Sequence, residues 1–280
     1  MSYFERKPAV SGLFYPAHFE ELQNDIKSLF LNSRFGPGAL PPSKKGGRIY
    51  GIVVPHAGYS YSGAIAANAF YQISSLNFDT VVIIGPNHYG IGCNIATVKD
   101  GAWKTPLGSI RVDAELADKL LENYEKVESD PLAHSRDHCI EVQIPFLQYI
   151  NTSLTFLPII LNKQDKNTTA ELGKVLGQII NDRNVMLIGS SDLTHYEPNE
   201  QAYAKDGELI SSITSMDIQN FYSVLENSRV SACGYGAIAT VMFASKAIGA
   251  TRGKLLRYAT SGDVAGDLSS VVGYSSILFE

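Results

Sequence analysis

The run Val185-Met186-Leu187-Ile188 breaks on Gly189-Ser190-Ser191-Asp192-Leu193-Thr194-His195, and two other runs repeat the plan. Ile49 to Val54 enters Pro55-His56-Ala57-Gly58, and Val81 to Ile84 enters Gly85-Pro86-Asn87-His88. Short β-branched runs bounded by Gly and Pro are what the interior strands of a parallel sheet look like, buried on both faces. Each ends on a histidine. In open α/β sheets ligands gather outside the carboxyl edge, so three such strands in one sheet bring His56, His88 and His195 to one place.

Outward from these strands the chain alternates helix and strand. Helices are expected over 19–31, 62–70, 114–123, 139–149, 168–180, 200–214 and 235–248, and further strands over 154–161, 254–259 and 271–278. A hairpin is expected between 94–98 and 109–112, around Trp103, and an exposed loop over 36–47, where Gly, Pro and Lys cluster. The last two strands are joined by a short Gly-rich loop that suits an antiparallel pair. The expected fold class is therefore α/β: one three-layer domain over 1–280 with a mixed central sheet.

At 280 residues, 45% hydrophobic and 18% charged, the chain buries one large core and is too well mixed for disorder. The net charge of −5 supplies no basic field for phosphate backbones, which argues against a nucleic-acid partner. No apolar stretch approaches a membrane span, and Met1 to Val10 carries charges and Pro8 where a signal peptide has its apolar core. A cytoplasmic protein with no membrane partner is expected. Cys93, Cys139 and Cys233 make an odd count without close pairing, which fits a reducing compartment and thiol or metal chemistry.

The chemistry turns on which polar residues converge. Asp192 lies three residues before His195 on the same loop. Cys233 sits in Ser231-Ala232-Cys233-Gly234-Tyr235-Gly236-Ala237, at the start of an apolar helix whose dipole favours thiolate. Two neutral imidazoles with a thiolate or a carboxylate suit iron, copper or zinc, with positions open for a substrate. Taken singly, each of these residues has a plainer reading: a hydrogen-bonded turn histidine, a small buried cysteine, a capping aspartate.

The stretch Ala133-His134-Ser135-Arg136-Asp137-His138-Cys139-Ile140-Glu141-Val142-Gln143 admits two readings. On a continuous helix His134 and His138 share one face and can bind a metal; otherwise it is a helix start capped by Asp137. The reading adopted makes Asp137, His138 and Glu141 groups that orient the metal-facing residues. Five tyrosines (Tyr59, Tyr61, Tyr89, Tyr196, Tyr235) lie within a few residues of the candidate ligands, and their hydroxyls suit an oxygen-rich or anionic ligand.

Taken together, Pro55-His56-Ala57-Gly58-Tyr59-Ser60-Tyr61-Ser62-Gly63, Gly85-Pro86-Asn87-His88, the stretch from His138 to Leu147, Ser190-Ser191-Asp192-Leu193-Thr194-His195-Tyr196 and Cys233-Gly234 resemble the Memo family over nearly the whole chain. Prokaryotic members of that family are also called protein B of the AmmeMemoRadiSam system. The resemblance implies a fold like that of class III extradiol dioxygenases, which are non-haem iron enzymes. It also implies a metal site of His56, His88 and Cys233, with Asp192 and His195 in the same pocket and His195 where those dioxygenases keep an acid/base histidine. A cysteine stands where the dioxygenases use a carboxylate, so ring opening is not carried over. Asp137 and Cys139 stand where the family usually has Glu and Ser.

Three functions remain open on these residues. One is a redox enzyme or metal-binding protein with a single iron or copper ion, or zinc, on His56, His88 and Cys233, and with His195 moving a proton. Another is a metal-free hydrolase with Cys233 as nucleophile, His195 as base and Asp192 orienting it. The third is a binding module whose pocket holds a peptide or small anion.

Overall fold

The three histidine-bearing runs lie side by side in one sheet. The computed structural model describes residues 4–42 and 48–280. Its first half runs β1 (Phe4–Arg6), α1 (Phe19–Leu31), β2 (Gly51–Val54), α2 (Ala64–Ile73), β3 (Thr80–Pro86), β4 (Ile95–Thr97), β5 (Gly101–Thr105), β6 (Gly108–Val112), α3 (Ala114–Asn123) and β7 (Glu128–Ser129). The second half runs α4 (Ile144–Ile150), β8 (Thr155–Leu161), α5 (Lys166–Ile180), β9 (Val185–Ser190), β10 (His195–Glu197), α6 (Asn199–Thr214), α7 (Ile218–Asn227), α8 (Tyr235–Ala247), β11 (Gly253–Thr260), α9 (Ser261–Ala265) and β12 (Val271–Phe279).

The sheet follows the order β1-β5-β6-β8-β3-β9-β2-β12-β10, with β11 on β12 and β4 on β8. From β6 through β8, β3 and β9 to β2 every pairing is parallel, whereas β12 runs antiparallel to β2, β10 and β11. The sheet is therefore mixed, with helices on both faces, as the alternation predicts. β3 is buried along its whole length, as the unbroken apolar run requires of a central strand. Helix α8 packs on β2, β3 and β9, and α2 packs on β2, β11 and β12. Close approach of α8 depends on Gly51, where a Cβ would sit 2.8 Å from Ser245 Oγ and 2.9 Å from Val241.

Most element ends fall within a residue or two of expectation; the exceptions have local causes. The hairpin is β5 with β6, placing Trp103 opposite Ile110, and β4 pairs with β8 instead. Its turn, Pro106-Leu107, is fixed by the Leu107 N–H on Thr105 Oγ1 at 3.0 Å. The helix expected over 139–149 begins later, as a 3-10 turn over Glu141–Gln143 followed by α4, because Pro145 suits only a first helical turn. A π turn, Tyr59–Gly63, precedes α2. Helix α7 was not foreseen; its cap is Asp217, which accepts from the Asn220 N–H at 3.0 Å. The loop between the last two strands holds α9, closed by a capping box of Thr260 and Asp263. Of the expected loop over 36–47, residues 43–47 lie outside the described residues. Among the described residues no helix is long and apolar enough to cross a membrane.

Register decides the rest. Val54 pairs with Ser190, and Ile84 pairs with Gly189. The carboxyl ends of β2, β9 and β3 are therefore level, and the residues two or three places beyond them, His56, Asp192 and His88, leave the sheet at one height.

Candidate metal centre

The rings of His56 and His88 meet edge to face, with centroids 5.1 Å apart. His56 is buried, and its Nδ1 lies 3.0 Å from Ser190 Oγ. His88 Nδ1 lies 3.0 and 3.2 Å from the two Asp137 oxygens, and the His88 N–H donates to the same carboxylate at 2.7 Å. A carboxylate only accepts, so His88 carries its proton on Nδ1 and leaves Nε2 with a lone pair. A carboxylate behind a ligand imidazole is the usual support of a metal-binding histidine.

His138 joins them. Its ring stacks on His88 at 4.7 Å and meets His56 at 5.4 Å, and the ligand nitrogens of His56, His88 and His138 all lie within 4.8 Å of one another. The expected orienting role for His138 is not met, because the nearest Asp137 oxygen is 3.9 Å from its Nδ1, beyond a hydrogen bond. Its ring stands among the candidate ligands instead.

Cys233, in the turn before α8, reaches His56 but is not part of the group of His56, His88 and His138 whose ligand atoms lie within 4.8 Å of one another. Its Sγ is 3.1 Å from His56 Nε2. The turn before the helix is held by the Gly234 N–H on Ser191 Oγ at 3.0 Å and by Gln164, which donates to the Cys233 carbonyl at 3.0 Å and accepts from the Gly236 N–H at 2.8 Å. The expectation that the helix dipole favours thiolate is not met. Burial, and then the neighbouring Asp192 carboxyl, hold the thiol well above its ordinary range.

Asp192 lies on the loop after β9, and His195 opens β10. Asp192 Oδ1 accepts from the His56 N–H at 2.8 Å, and its Oδ2 is 4.0 Å from His56 Nε2. His195 Nδ1 lies 2.7 Å from the Leu193 carbonyl and 3.0 Å from that of Ser231, so the proton sits on Nδ1 and Nε2 is free. The imidazole touching the Cys233 thiol is thus His56, whose Nδ1 rests on a hydroxyl, which is not the Cys-His-Asp chain a hydrolase needs. Of the five tyrosines, Tyr59 is structural, its hydroxyl donating to the Val142 carbonyl at 2.7 Å. Tyr61, Tyr89 and Tyr196 are exposed, and Tyr196 is held at φ 59°, a strained position for a bulky residue.

Glu141 serves another purpose than the expected one. Its oxygens accept from Arg6 Nη1 at 2.6 Å, the Ala9 N–H at 2.8 Å, the Val10 N–H at 3.0 Å and Tyr15 Oη at 2.7 Å. Arg6 in turn donates to the His134 and Asp137 carbonyls at 2.6 Å each. Glu141 thereby fixes the N-terminal segment, and through Arg6 the loop bearing Asp137, without itself orienting a ring. The continuous helix carrying His134 and His138 on one face does not form, and His134 lies buried against Trp103.

Burial sets the charge states. It holds His56 well below the usual histidine range, with His88 adding to it. It also brings His138 down to about 4, helped by His56 and His88. Burial alone raises the Asp137 carboxyl, but hydrogen bonds from His88 and the Cys139 N–H outweigh it and leave the group well below the ordinary carboxylate range. Asp192 is raised by burial despite the His56 N–H and the nearby imidazoles. At neutral pH His56 and His138 are therefore neutral, as metal ligands must be.

An α/β sheet with imidazoles gathered at its carboxyl edge is the class these features define, and comparison with known proteins narrows it. A model of the Memo-like protein family matches residues 6–278. A MEMO1 family protein of Nitrosopumilus maritimus is 49% identical, covering 98% of this chain and 99% of its own. One from Methanopyrus kandleri is 45% identical over the same shares. The chain belongs to the Memo family. Among solved structures, the uncharacterized protein JW3007 of Escherichia coli K12 shares the fold, with a TM-score of 0.54, 14% identity, and coverage of 82% of this chain and 99% of that one.

Proposed function

We propose that this chain is a metal-dependent redox enzyme, or a metal-binding protein, that holds one iron or copper ion on His56 Nε2, His88 Nε2 and Cys233 Sγ; zinc suits the same donors. The observation that carries the reading is that His56 Nε2 has the Cys233 thiol, 3.1 Å away, as its contact, while the Nδ1 atoms of His56 and His88 are both engaged behind them. Two imidazoles with free lone pairs and one sulfur are a donor set for a borderline or soft ion. His138 stands close enough to serve as a further donor.

A bound ion supplies Lewis acidity and, if iron or copper, one-electron chemistry in a pocket like that of the extradiol dioxygenases. The chain's own contribution is to fix His88 through Asp137, to present His195 Nε2 as a proton carrier, and to keep the Asp192 carboxyl beside His56. With Nδ1 on two carbonyls, His195 exchanges protons only through Nε2. The substrate is a small molecule or peptide, and the exposed Tyr61, Tyr89 and Tyr196 are available to contact it.

Elemental analysis of protein purified without chelator or affinity metal tests this. About one equivalent of metal is expected in the wild type and almost none in a His56→Ala, His88→Ala double variant. Full metal content in the double variant overturns the assignment. A wild type that takes up no iron, copper or zinc when each is supplied leaves the metal-free binding module as the better reading.

A further inference from the structure

Behind His56 lies a hydrogen-bond chain whose polarity can be read from its acceptors. Ser190 Oγ is 2.7 Å from the Cys139 carbonyl, which can only accept, so the one hydroxyl proton is spent there. Gln143 Nε2 lies 2.9 Å from the Pro55 carbonyl and 3.4 Å from that of Cys139, so the atom in that position is the amide nitrogen and not its oxygen. That nitrogen donates to Ser190 Oγ at 3.0 Å. With its proton committed and one donor already received, the hydroxyl meets His56 Nδ1 at 3.0 Å as an acceptor. His56 must therefore carry its proton on Nδ1.

We propose that Ser190 and Gln143 are positioning residues that fix the tautomer of His56, so that Nε2 is presented as the donor atom toward Cys233 and a metal. The inference rests on the metal reading above for its purpose, but its geometry stands without it. All three partners are buried, so the alternative tautomer would leave His56 Nδ1 and a Ser190 lone pair facing each other with no proton between them. The two candidate ligands are thus supported differently: His88 by a carboxylate, His56 by a neutral hydroxyl. A carboxylate behind each ring would put a second buried negative charge beside Asp192. The Gln143 amide also ties the Pro55 carbonyl, one residue before His56, to the same hydroxyl, which fixes the backbone and the ring together.

Nitrogen-15 NMR of metal-free protein labelled at histidine, together with calorimetric titration of Zn(II), tests the proposal. Wild-type His56 is expected to show a pyrrole-type Nδ1 and a pyridine-type Nε2. Ser190→Ala is expected to lose that single tautomer and to weaken Zn(II) binding by about tenfold to hundredfold. Gln143→Met, which keeps the hydroxyl but removes its donor, is expected to weaken the preference for that tautomer by less than Ser190→Ala does, with a smaller loss of affinity, and an unchanged tautomer and affinity in it removes Gln143 from the proposal. A wild-type His56 protonated on Nε2 overturns the proposal. So does a folded Ser190→Ala variant with unchanged tautomer and affinity; should that variant not fold, the wild-type tautomer and Gln143→Met decide. A wild type with the expected tautomer that takes up none of Zn(II), iron and copper defeats the metal reading and leaves the relay standing, because the NMR is done without metal.

Discussion

Two polar clusters draw on residues a few positions apart in the loop between β7 and α4, and they are built on opposite principles. Around Glu141 every strong group is answered: Arg6, Tyr15 and two backbone N–H groups meet the two oxygens, and Arg6 uses its remaining donors on carbonyls. Around His56, His88 and His138 the chain answers only the rear of the site. Asp137 and Ser190 take the Nδ1 atoms of His88 and His56, and the inward Nε2 of His56 has, among the described residues, a thiol as its hydrogen-bond contact. A closed network fixes a loop, whereas an open one awaits an ion or a substrate. The difference predicts that variants of the first cluster reduce stability, and that variants of the second reduce binding while sparing the fold.

The largest effect is expected from opening the closed cluster. Arg6 and Glu141 pair at 2.6 Å with both side chains almost fully buried. Removing one partner, as in Glu141→Ala, leaves an unpaired guanidinium inside the protein and is expected to cost about 3–5 kcal/mol in urea unfolding. Zn(II) affinity of the fraction still folded should change far less. A variant as stable as the wild type would show that this cluster is not the anchor of the loop.

A second test uses pH and the histidine that was read as a possible ligand. Burial, with Arg6 adding to it, brings His134 down to about 4, against an unfolded value near 6.5. Between those values the unfolded chain binds the proton and the folded chain does not. Stability is thus fully present above about pH 6.5 and falls as pH drops toward 4, by a few kcal/mol at most. His134→Leu should flatten the dependence of Tm on pH over that window without altering metal content. If the slope is unchanged, His134 is not among the groups that titrate on unfolding. His138, also brought down to about 4, supplies part of the remaining slope.

Asp137→Asn tests the rear of the open cluster. An amide can offer His88 Nδ1 a proton donor where a carboxylate offered only acceptors, which turns the ring toward the wrong tautomer. About tenfold to hundredfold weaker Zn(II) binding is expected, with a smaller change in stability than Glu141→Ala produces. Equal losses of stability in the two variants would erase the distinction between the clusters.

The strands and the convergence of His56, His88 and Asp192 were legible because each rests on local signals: an apolar run, a Gly or Pro break, and a polar residue two or three places beyond. The level register of β2, β9 and β3 turns those signals into a site. The placement of Cys233 at a helix start was equally local, but its protonation was not. The dipole is visible in the sequence, whereas the burial and the Asp192 carboxyl that oppose it exist only after folding. Glu141 and Arg6 are 135 positions apart, and nothing in the spacing announces the pair. Gln143 and Ser190 were missed for the same reason, since a hydroxyl and an amide gain meaning only from the carbonyls that fix their polarity. The pairing of β5 with β6 was not legible, because its turn is only the pair Pro106-Leu107, a weaker signal than the apolar run of β4.

The smallest effect is expected at Cys139, and it separates the two thiols near the site. The ligand atoms of His88, Asp137 and Cys139 lie within 4.8 Å of one another, so proximity alone makes Cys139 a candidate. Its surroundings point the other way. The sulfur is fully buried, donates to the Pro86 carbonyl at 3.2 Å, and packs on Gly85, where any Cβ would strike it. Burial, followed by the Asp137 charge, holds it protonated. The Asp137 oxygens are already occupied by His88 and by the Cys139 N–H. Cys139→Ser supplies a hydroxyl that can donate to the same carbonyl, so a change within about 1 kcal/mol is expected, with metal content unaltered. Cys233→Ser, which replaces the sulfur touching His56, should lose most of the bound metal. Equal metal loss in both serine variants would place Cys139 among the ligands and move the open cluster to the β3 side of the pocket.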